Sequence, residues 1–449
     1  MRMKLLLTAA LVGTLAAPAM ADKPKPDDGP EKRIDLVDPK KPDVEPPEVK
    51  TRRDLDSVAE LFSIGDGELG TTEDGLPLRD GNPPEFLQQQ RVLQEGNRNR
   101  ARVDQTSGSQ GLASIQQSGN RNTASTTQSD TDTPPGSVPF SFPANVSVTT
   151  QTGDGNRARV EQYGSAGEKP YANRADIHQF APEHFRPVTN DAYVSQYGND
   201  NTLATITQGL DDSTAGIDNA ASVYQTANDG SFVGINQARD GNEAIVHQSE
   251  TGTEFPGFLR SSVEVQQVSG IGFGVGEANY AYIDQFNGVD LAIEVYQEQT
   301  GAGGPNDIYI SQTGISNGIW VDQIGSDNYM DLDQSGLKNR IEASQDDNGQ
   351  ALSLWQDGVG NTFYSHQGEG DYNEILNARQ TGELNLVSIS QKGNENKVND
   401  LYQGGFFNTM LLEQEGNRNT INASQADTVS FDVISVSQQG NGNVATTSQ

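Results

Sequence analysis

The stretch from Gln312 to Gln367 reads QTGISNGIWVDQIGSDNYMDLDQSGLKNRIEASQDDNGQALSLWQDGVGNTFYSHQ, with a glutamine at every eleventh position. An asparagine stands five residues after most of these glutamines, as at Asn317 and Asn328, and apolar residues then tend to alternate up to the next glutamine. Alternation with a period of two puts Asn317, Ile319 and Gln323 on one face of an extended chain. The pattern therefore predicts β-strands of the form N-x-φ-x-φ-x-Q, joined by turns of about four residues.

The same unit can be followed from Gln88 to Gln449, and insertions fall only between units, where turns tolerate them. We count about 28 strands, which pair into about fourteen coils of roughly 22 residues each. Two units are degenerate, because Lys397 and Asp432 stand where an asparagine is expected. The sequence predicts an all-β fold, a β-solenoid of strand-turn-strand repeats with cross-β stacking over residues 88–449. Glycine beside asparagine in the turns suits either antiparallel or arched strands.

Glutamine and asparagine on the inward face need partners, since an unpaired buried amide costs about 1–3 kcal/mol. Stacking identical amides provides these partners. Each carboxamide can donate to the amide in the next layer and accept from the amide in the layer before. We therefore predict amide ladders inside the solenoid.

The residues before the repeats differ in composition. Arg2 and Lys4, an apolar stretch and Ala19-Met20-Ala21 match a signal peptide over residues 1–21. Residues 22–87 are rich in proline and in charges of both signs, which predicts a disordered linker or targeting segment. No later segment is apolar for long enough to span a membrane as a helix. We therefore expect export by the general pathway.

Composition excludes several kinds of protein. Only 33% of residues are hydrophobic and the mean hydropathy is -0.64, so a conventional globular core is not expected. The chain has no cysteine, and its stability must come from stacking rather than from disulfides. A formal net charge of -32 argues against a nucleic-acid partner, because phosphate binding needs clustered lysine and arginine.

The units resemble the curlin repeat of bacterial curli, whose secreted subunits form functional amyloid with a Gln-x-Gly-x-x-Asn-x-Ala pattern. The similarity is clear in QTGDGNRARVEQ, from Gln151 to Gln162, and in QEGNRNTINASQ, from Gln414 to Gln425. The resemblance implies partners: further copies of the chain, other curli-type subunits and an outer-membrane export apparatus. It leaves open whether the chain is a major subunit, a nucleator or an accessory adhesin.

The resemblance also implies an inward ladder at the repeated amide positions. These are Gln312, Asn317, Gln323, Asn328, Gln334, Asn339, Gln345, Gln356, Asn361, Gln367, Gln414, Asn419 and Gln425.

No pattern predicts catalysis, a cofactor or a metal centre, and we expect no enzyme. The G-x-G-x-x-G at residues 65–70 lies among acids that would repel a pyrophosphate. The four histidines, His178, His184, His247 and His366, are scattered along the chain. Neighbouring acids such as Asp331 and Asp333 fit a solvated face better than a hydrolase pair. Loose calcium binding by outward acids stays open.

Five aromatic residues stand three positions before a ladder glutamine, which predicts that they project outward: Tyr193, Tyr282, Tyr309, Trp320 and Tyr364. If strands alternate between two sheets, the first three share one sheet and the last two share the other. Two interpretations remain, ordinary surface residues or lateral contacts in fibre packing or adhesion.

Two functions remain as hypotheses. The first is a secreted structural subunit of extracellular curli-like amyloid fibres, acting in biofilm matrix, cell adhesion and aggregation. The second is a monomeric β-solenoid adhesin or surface-binding protein. The unit that ends at Gln449 carries no recognisable capping unit after Asn443, so we expect its strand to template another chain.

Overall fold

The computed structural model describes residues 89–106, 111–129, 145–163, 173–181, 190–197, 202–209, 218–226, 231–249, 261–269, 279–286, 291–300, 303–426 and 431–449. The predicted signal peptide and the proline-rich segment lie outside these residues. Regular structure in the described part of the chain is entirely β, with no helix and so no helix that could span a membrane. The predicted all-β class is confirmed.

The described residues form 28 strands. They are β1 (Gln89–Glu95), β2 (Arg100–Thr106), β3 (Gly111–Ser118), β4 (Thr123–Ser129), β5 (Asn145–Thr152), β6 (Arg157–Tyr163), β7 (Asn173–Phe180), β8 (Asp191–Tyr197), β9 (Leu203–Gln208), β10 (Ala220–Thr226), β11 (Phe232–Ala238), β12 (Glu243–Ser249), β13 (Ser261–Val268), β14 (Tyr280–Phe286), β15 (Leu291–Gln299), β16 (Asp307–Thr313), β17 (Gly318–Gly325), β18 (Tyr329–Gln334), β19 (Arg340–Gln345), β20 (Ala351–Gln356), β21 (Thr362–Gly368), β22 (Glu374–Gln380), β23 (Leu386–Lys392), β24 (Lys397–Gln403), β25 (Thr409–Glu415), β26 (Thr420–Gln425), β27 (Val433–Gln439) and β28 (Val444–Ser448).

Consecutive strands alternate between two 14-stranded sheets. The odd sheet contains β1, β3 and so on to β27, and the even sheet contains β2, β4 and so on to β28. Every strand pairs in parallel with the strand two positions along the chain, and the glutamines pair in register, as Gln312 does with Gln334. One odd strand and the following even strand make one coil. The fold is therefore a β-solenoid, and its turns are arches rather than hairpins.

The core lies between the two sheets and is thin. In β16, Ile308, Ile310 and Gln312 are at most 1% exposed, whereas Tyr309 between them is 37% exposed. The same alternation recurs along the array, and the inward apolar residues are mostly valine, isoleucine, leucine and alanine. Burying one isoleucine contributes about 1.5–3 kcal/mol. Repetition of this small contribution in each coil replaces the globular core that the composition lacks.

The arches stack as closely as the strands do. Gly336 has a φ of +102°, and a Cβ there would lie 2.1 Å from the carbonyl oxygen of Gly358 in the next coil. The arch backbone continues the ladder, because Leu337 N–H donates to Gly358 O at 2.8 Å and Lys338 N–H donates to Ile315 O at 2.9 Å. Glycine is needed here for both its left-handed backbone and its lack of a side chain.

One sequence assignment is wrong. We took Lys397 to replace the expected asparagine, but the structure places Asn396 at that inward position, fully buried. The strand β24 has a register irregularity between Asn399 and Tyr402, and Asp400 has a φ of +50°. The strand therefore holds an extra residue relative to the regular unit. In a regular unit the asparagine stands six residues before the glutamine. Six residues before Gln403 is Lys397, which is one residue after the true position, Asn396.

Candidate functional site

Two columns of glutamine run through the interior, one per sheet. In each column the side-chain Nε2 of one glutamine donates to the Oε1 of the glutamine in the next coil, at 2.6 to 3.4 Å. The odd column is Gln94, Gln117, Gln151, Gln179, Gln208, Gln237, Gln267, Gln297, Gln323, Gln345, Gln367, Gln391, Gln414 and Gln438. The even column is Gln105, Gln128, Gln162, Gln196, Gln225, Gln248, Gln285, Gln312, Gln334, Gln356, Gln380, Gln403, Gln425 and Gln449.

The structure places every glutamine named from the sequence in one of these columns. Four lie in the odd column and four in the even column, and each is at most 2% exposed. They are Gln323, Gln345, Gln367 and Gln414 in the first, and Gln312, Gln334, Gln356 and Gln425 in the second.

The predicted asparagines form a second kind of column at the start of the strands, and this column also uses the backbone. The N–H of Asn339 donates to Asn317 Oδ1 at 3.0 Å, and the N–H of Asn361 donates to Asn339 Oδ1 at 2.9 Å. The Nδ2 of Asn339 donates to the carbonyl of Gly358 in the next arch at 2.9 Å. Asn419 makes the equivalent bond to Asn396 Oδ1 in the even sheet at 3.1 Å. Each asparagine thus ties a strand to an arch.

The asparagine column of the even sheet is interrupted once. Gln350 takes the place of an asparagine, and its N–H still donates to Asn328 Oδ1 at 3.1 Å. Its side chain is one methylene too long to continue the column. The buried Gln350 Oε1 has no hydrogen-bond partner. The Nδ2 of Asn373 in the following coil is also unpaired, whereas the Nδ2 of Asn396 donates to the carbonyls of Lys392 and Gly416.

The glutamine columns have a direction. Every Nε2 donates toward the coil that follows it in the chain, so each Oε1 faces the coil that precedes it. In the first described coil, Gln105 Oε1 is buried and accepts no hydrogen bond. In the last coil, the inward Val436 and Ala445 are only partly buried. Within the described residues, β1, β2, β27 and β28 each pair with a strand on one side only.

The outward aromatic residues divide between the sheets as predicted. Tyr193, Tyr282 and Tyr309 lie on the even sheet, where Tyr282 and Tyr309 are register partners on β14 and β16. Trp320 and Tyr364 lie on the odd sheet, on β17 and β21.

A guanidinium covers the two rings on the odd sheet. It belongs to Arg340, whose Cζ is 4.9 Å from the Trp320 ring centroid and 5.6 Å from that of Tyr364. These two rings therefore already hold a cation.

Sequence reasoning missed several ring contacts on the even sheet. Tyr224 lies 5.3 Å from Tyr193 and 4.7 Å from His247, measured between ring centroids, and His247 lies 5.5 Å from Tyr282. Tyr309 contacts two further tyrosines, Tyr280 at 5.5 Å and Tyr329 at 5.8 Å. These residues stand one or five positions before the ladder glutamine, so a search of the third position alone passed over them.

Two carboxyl groups in the described residues have clearly raised pKa values. Glu264 on the odd sheet is 7% exposed, and burial followed by repulsion from its register partner Glu294 raises its pKa to about 7. Burial followed by repulsion from Asp347 raises the pKa of Asp346 to about 6. No group of three or more histidine or acidic side chains in the described residues is arranged to hold a metal ion.

Three of the four histidines, His178, His247 and His366, lie on three different strands, β7, β12 and β21. The fourth, His184, lies outside the described residues. The neighbouring acids Asp331 and Asp333 share the outward face of β18 with Tyr329.

Comparison with models of known protein families finds no match, and comparison with curated protein sequences finds none either.

Proposed function

We propose that this protein is a structural subunit of extracellular curli-like amyloid fibres, in which coils of neighbouring molecules stack end to end. The observation that carries the proposal is the pair of one-directional glutamine columns that reach both ends of the described array. The last described coil presents amide donors, and the first described coil presents an amide acceptor, Gln105 Oε1, that has no partner among the described residues. A second copy in the same orientation supplies each end with the group that it lacks.

The role that fits such a subunit is mechanical rather than enzymatic: biofilm matrix, cell adhesion and aggregation. On this proposal the chain leaves the cell through the general export pathway and an outer-membrane export apparatus, and it assembles with itself and with other curli-type subunits. The signal-peptide pattern in residues 1–21 and the curlin-like units support this assignment.

Electrostatics should control the rate of assembly. A net charge of -32 opposes the approach of two copies, whereas the contacts between stacked coils are short-range. Salt screens charges beyond a Debye length of about 8–10 Å. Fibre growth should therefore accelerate with added salt, and a rate that does not change with ionic strength would contradict this control.

The decisive experiment follows thioflavin fluorescence and electron microscopy of the purified mature protein. Gln438→Glu with Gln449→Glu replaces the amide donors of the last coil by carboxylates. The matched control, Ser435→Glu with Thr446→Glu, adds the same charge at exposed outward positions of the same two strands. We expect the first variant to slow elongation and the control to grow as the parent does. Equal slowing in both would show that charge, and not the ladder, limits growth.

The second candidate is a monomeric β-solenoid adhesin, which the aromatic rings projecting from the even sheet favour. Such a protein would remain a soluble monomer under conditions that produce fibres from an amyloid subunit. Sedimentation of the mature protein separates the two candidates, and a monomer that never elongates would refute the fibre proposal.

A further inference from the structure

The outward face of the even sheet from β8 to β18 has an unusual composition. The six strands β8, β10, β12, β14, β16 and β18 are neighbours in the sheet and contain eight tyrosine or phenylalanine residues, six acidic residues and no lysine or arginine. We call the outward side of these six strands the tyrosine face. Neighbouring rings follow the solenoid axis at centroid distances of 4.7 to 5.8 Å, in edge-to-face or tilted arrangements.

The charge of this face comes from carboxylates and not from the phenols. Burial, followed by nearby tyrosines and acids, raises the pKa of Tyr280 to about 12, and burial followed by Asp284 raises that of Tyr282 to about 12. Burial and the neighbouring acids also raise the pKa of Tyr309. These three tyrosines therefore remain neutral at physiological pH, and a neutral ring can attract a cation to its π-face. The only cationic candidate on the face is His247, 3.2 Å from Asp284.

The chain places a guanidinium on an aromatic ring at each border of this region. At one border Arg159 on β6 lies 5.4 Å from the Tyr193 ring centroid. Beyond the other border, on β20 and β22, Arg379 lies 4.1 Å from the ring centroid of Trp355. On the opposite sheet, Arg340 lies over Trp320 in the same way. Between the two borders the rings and acids continue, but the strands supply no arginine.

We propose that the tyrosine face binds an extended, arginine-rich polypeptide. Guanidinium groups spaced along such a peptide would lie over the rings, as Arg159 and Arg379 do at the borders, and would pair with the interleaved carboxylates. A second copy of this chain is a poor occupant, because its net charge of -32 has the same sign as the face. The binding requires the solenoid fold and is independent of fibre formation.

The test measures binding of a fluorescent oligo-arginine peptide to the full chain by anisotropy, with an oligo-glutamate peptide and a neutral cello-oligosaccharide as alternative probes. Tyr282→Ser with Tyr309→Ser removes rings at constant charge. Its matched control, Trp320→Ser with Tyr364→Ser, removes two outward rings from the odd sheet. We expect about tenfold weaker oligo-arginine binding in the first variant and no loss in the control.

A second pair of variants tests the carboxylates. Asp284→Asn, Asp331→Asn and Asp333→Asn together should weaken binding and reduce its dependence on salt. The control neutralises three acids of the odd sheet: Asp322→Asn, Glu342→Gln and Glu413→Gln. Circular dichroism and hydrogen exchange verify that each variant keeps its fold.

Two results would overturn the proposal. If the carboxylate variants of the two sheets weaken binding equally, the peptide responds only to the net charge of the protein. If the cello-oligosaccharide binds and oligo-arginine does not, the face takes a neutral polysaccharide instead.

Discussion

Replacing one ladder glutamine tests whether the columns stabilise the solenoid. Gln334 accepts from Gln312 Nε2 at 2.9 Å and donates to Gln356 Oε1 at 2.7 Å, and it is 2% exposed. The substitution Gln334→Ala removes both bonds and leaves one donor and one acceptor in the core without their ladder partners. At about 1–3 kcal/mol for each unsatisfied group, the local cost is about 2–6 kcal/mol. Even the lower value increases local opening about thirtyfold.

Hydrogen exchange resolved by strand is the suitable assay, because a long repeat array does not unfold in a single cooperative step. Protection should fall in β16, β18 and β20, which surround the substitution, and should stay unchanged in distant coils such as β8. The control is Asp333→Ala, one residue earlier on the outward face, which should change stability by no more than about 0.5 kcal/mol. If both substitutions reduced protection equally, the inward Gln334 would contribute no more stability than the outward Asp333, and the ladder model would be wrong.

Three further predictions concern a glutamine, a glycine and a pair of buried carboxyl groups. Gln350→Asn should place an Oδ1 where the N–H of Asn373 can donate to it, as the N–H of Asn396 donates to Asn373 Oδ1 at 2.8 Å, and should remove the unpaired Gln350 Oε1, raising local stability by about 1 kcal/mol in hydrogen exchange; a loss of protection would contradict this. Gly336→Ala should destabilise its coil by more than about 1 kcal/mol, since its φ is +102° and the new Cβ would meet the next arch, and unchanged protection there would refute the close stacking. Glu264 and Asp346 have folded pKa values of about 7 and about 6, above their ordinary values of 4.5 and 3.8. Both groups are protonated in the folded and unfolded states below the ordinary values, so they do not affect stability there. The free energy of unfolding should fall as the pH rises from the ordinary pKa values through the folded ones. Melting temperatures of the parent and of the Glu264→Gln, Asp346→Asn double variant should converge at acidic pH and separate near pH 7, with the parent lower.

The regular part of the fold could be predicted because two periods act together. The interval of eleven between Gln312 and Gln323 sets the length of one strand with its turn, which is half a coil, and the alternation within each strand determines which face is buried. A lengthened interval does not show where in the unit the extra residue lies. In β22 and β24, Asn377 and Asp400 have φ values of +56° and +50°, and each strand holds one more residue than the pattern expects. Such a residue is accommodated locally and leaves the glutamine register intact. The interval of twelve between Gln391 and Gln403 signals the extra residue, and counting five residues forward from Gln391 reaches Asn396, whereas counting back from Gln403 reaches Lys397.

The surface was harder to predict than the interior. An inward residue has a defined partner, because the same position recurs in every coil. An outward ring meets whatever the neighbouring strand presents, and this depends on the register across loops of different length. Tyr224 contacts His247 across an interval of 23 residues, whereas His247 contacts Tyr282 across one of 35. Their proximity follows only once the sheet order is known.

The donor and acceptor pattern of the two ends also restricts how copies could stack in the proposed fibre. Glutamine Nε2 points toward the following coil, whereas the asparagine Oδ1 accepts from the following coil, as Asn419 Oδ1 does from Asn443 N–H at 3.0 Å. One end therefore presents glutamine donors beside asparagine acceptors, and the other end presents the reverse. Stacking in the same orientation satisfies both columns at once. Stacking end to identical end places donors against donors and acceptors against acceptors, which costs about 1–3 kcal/mol for each group left unpaired. The columns that stabilise one molecule would thus also select a polar fibre.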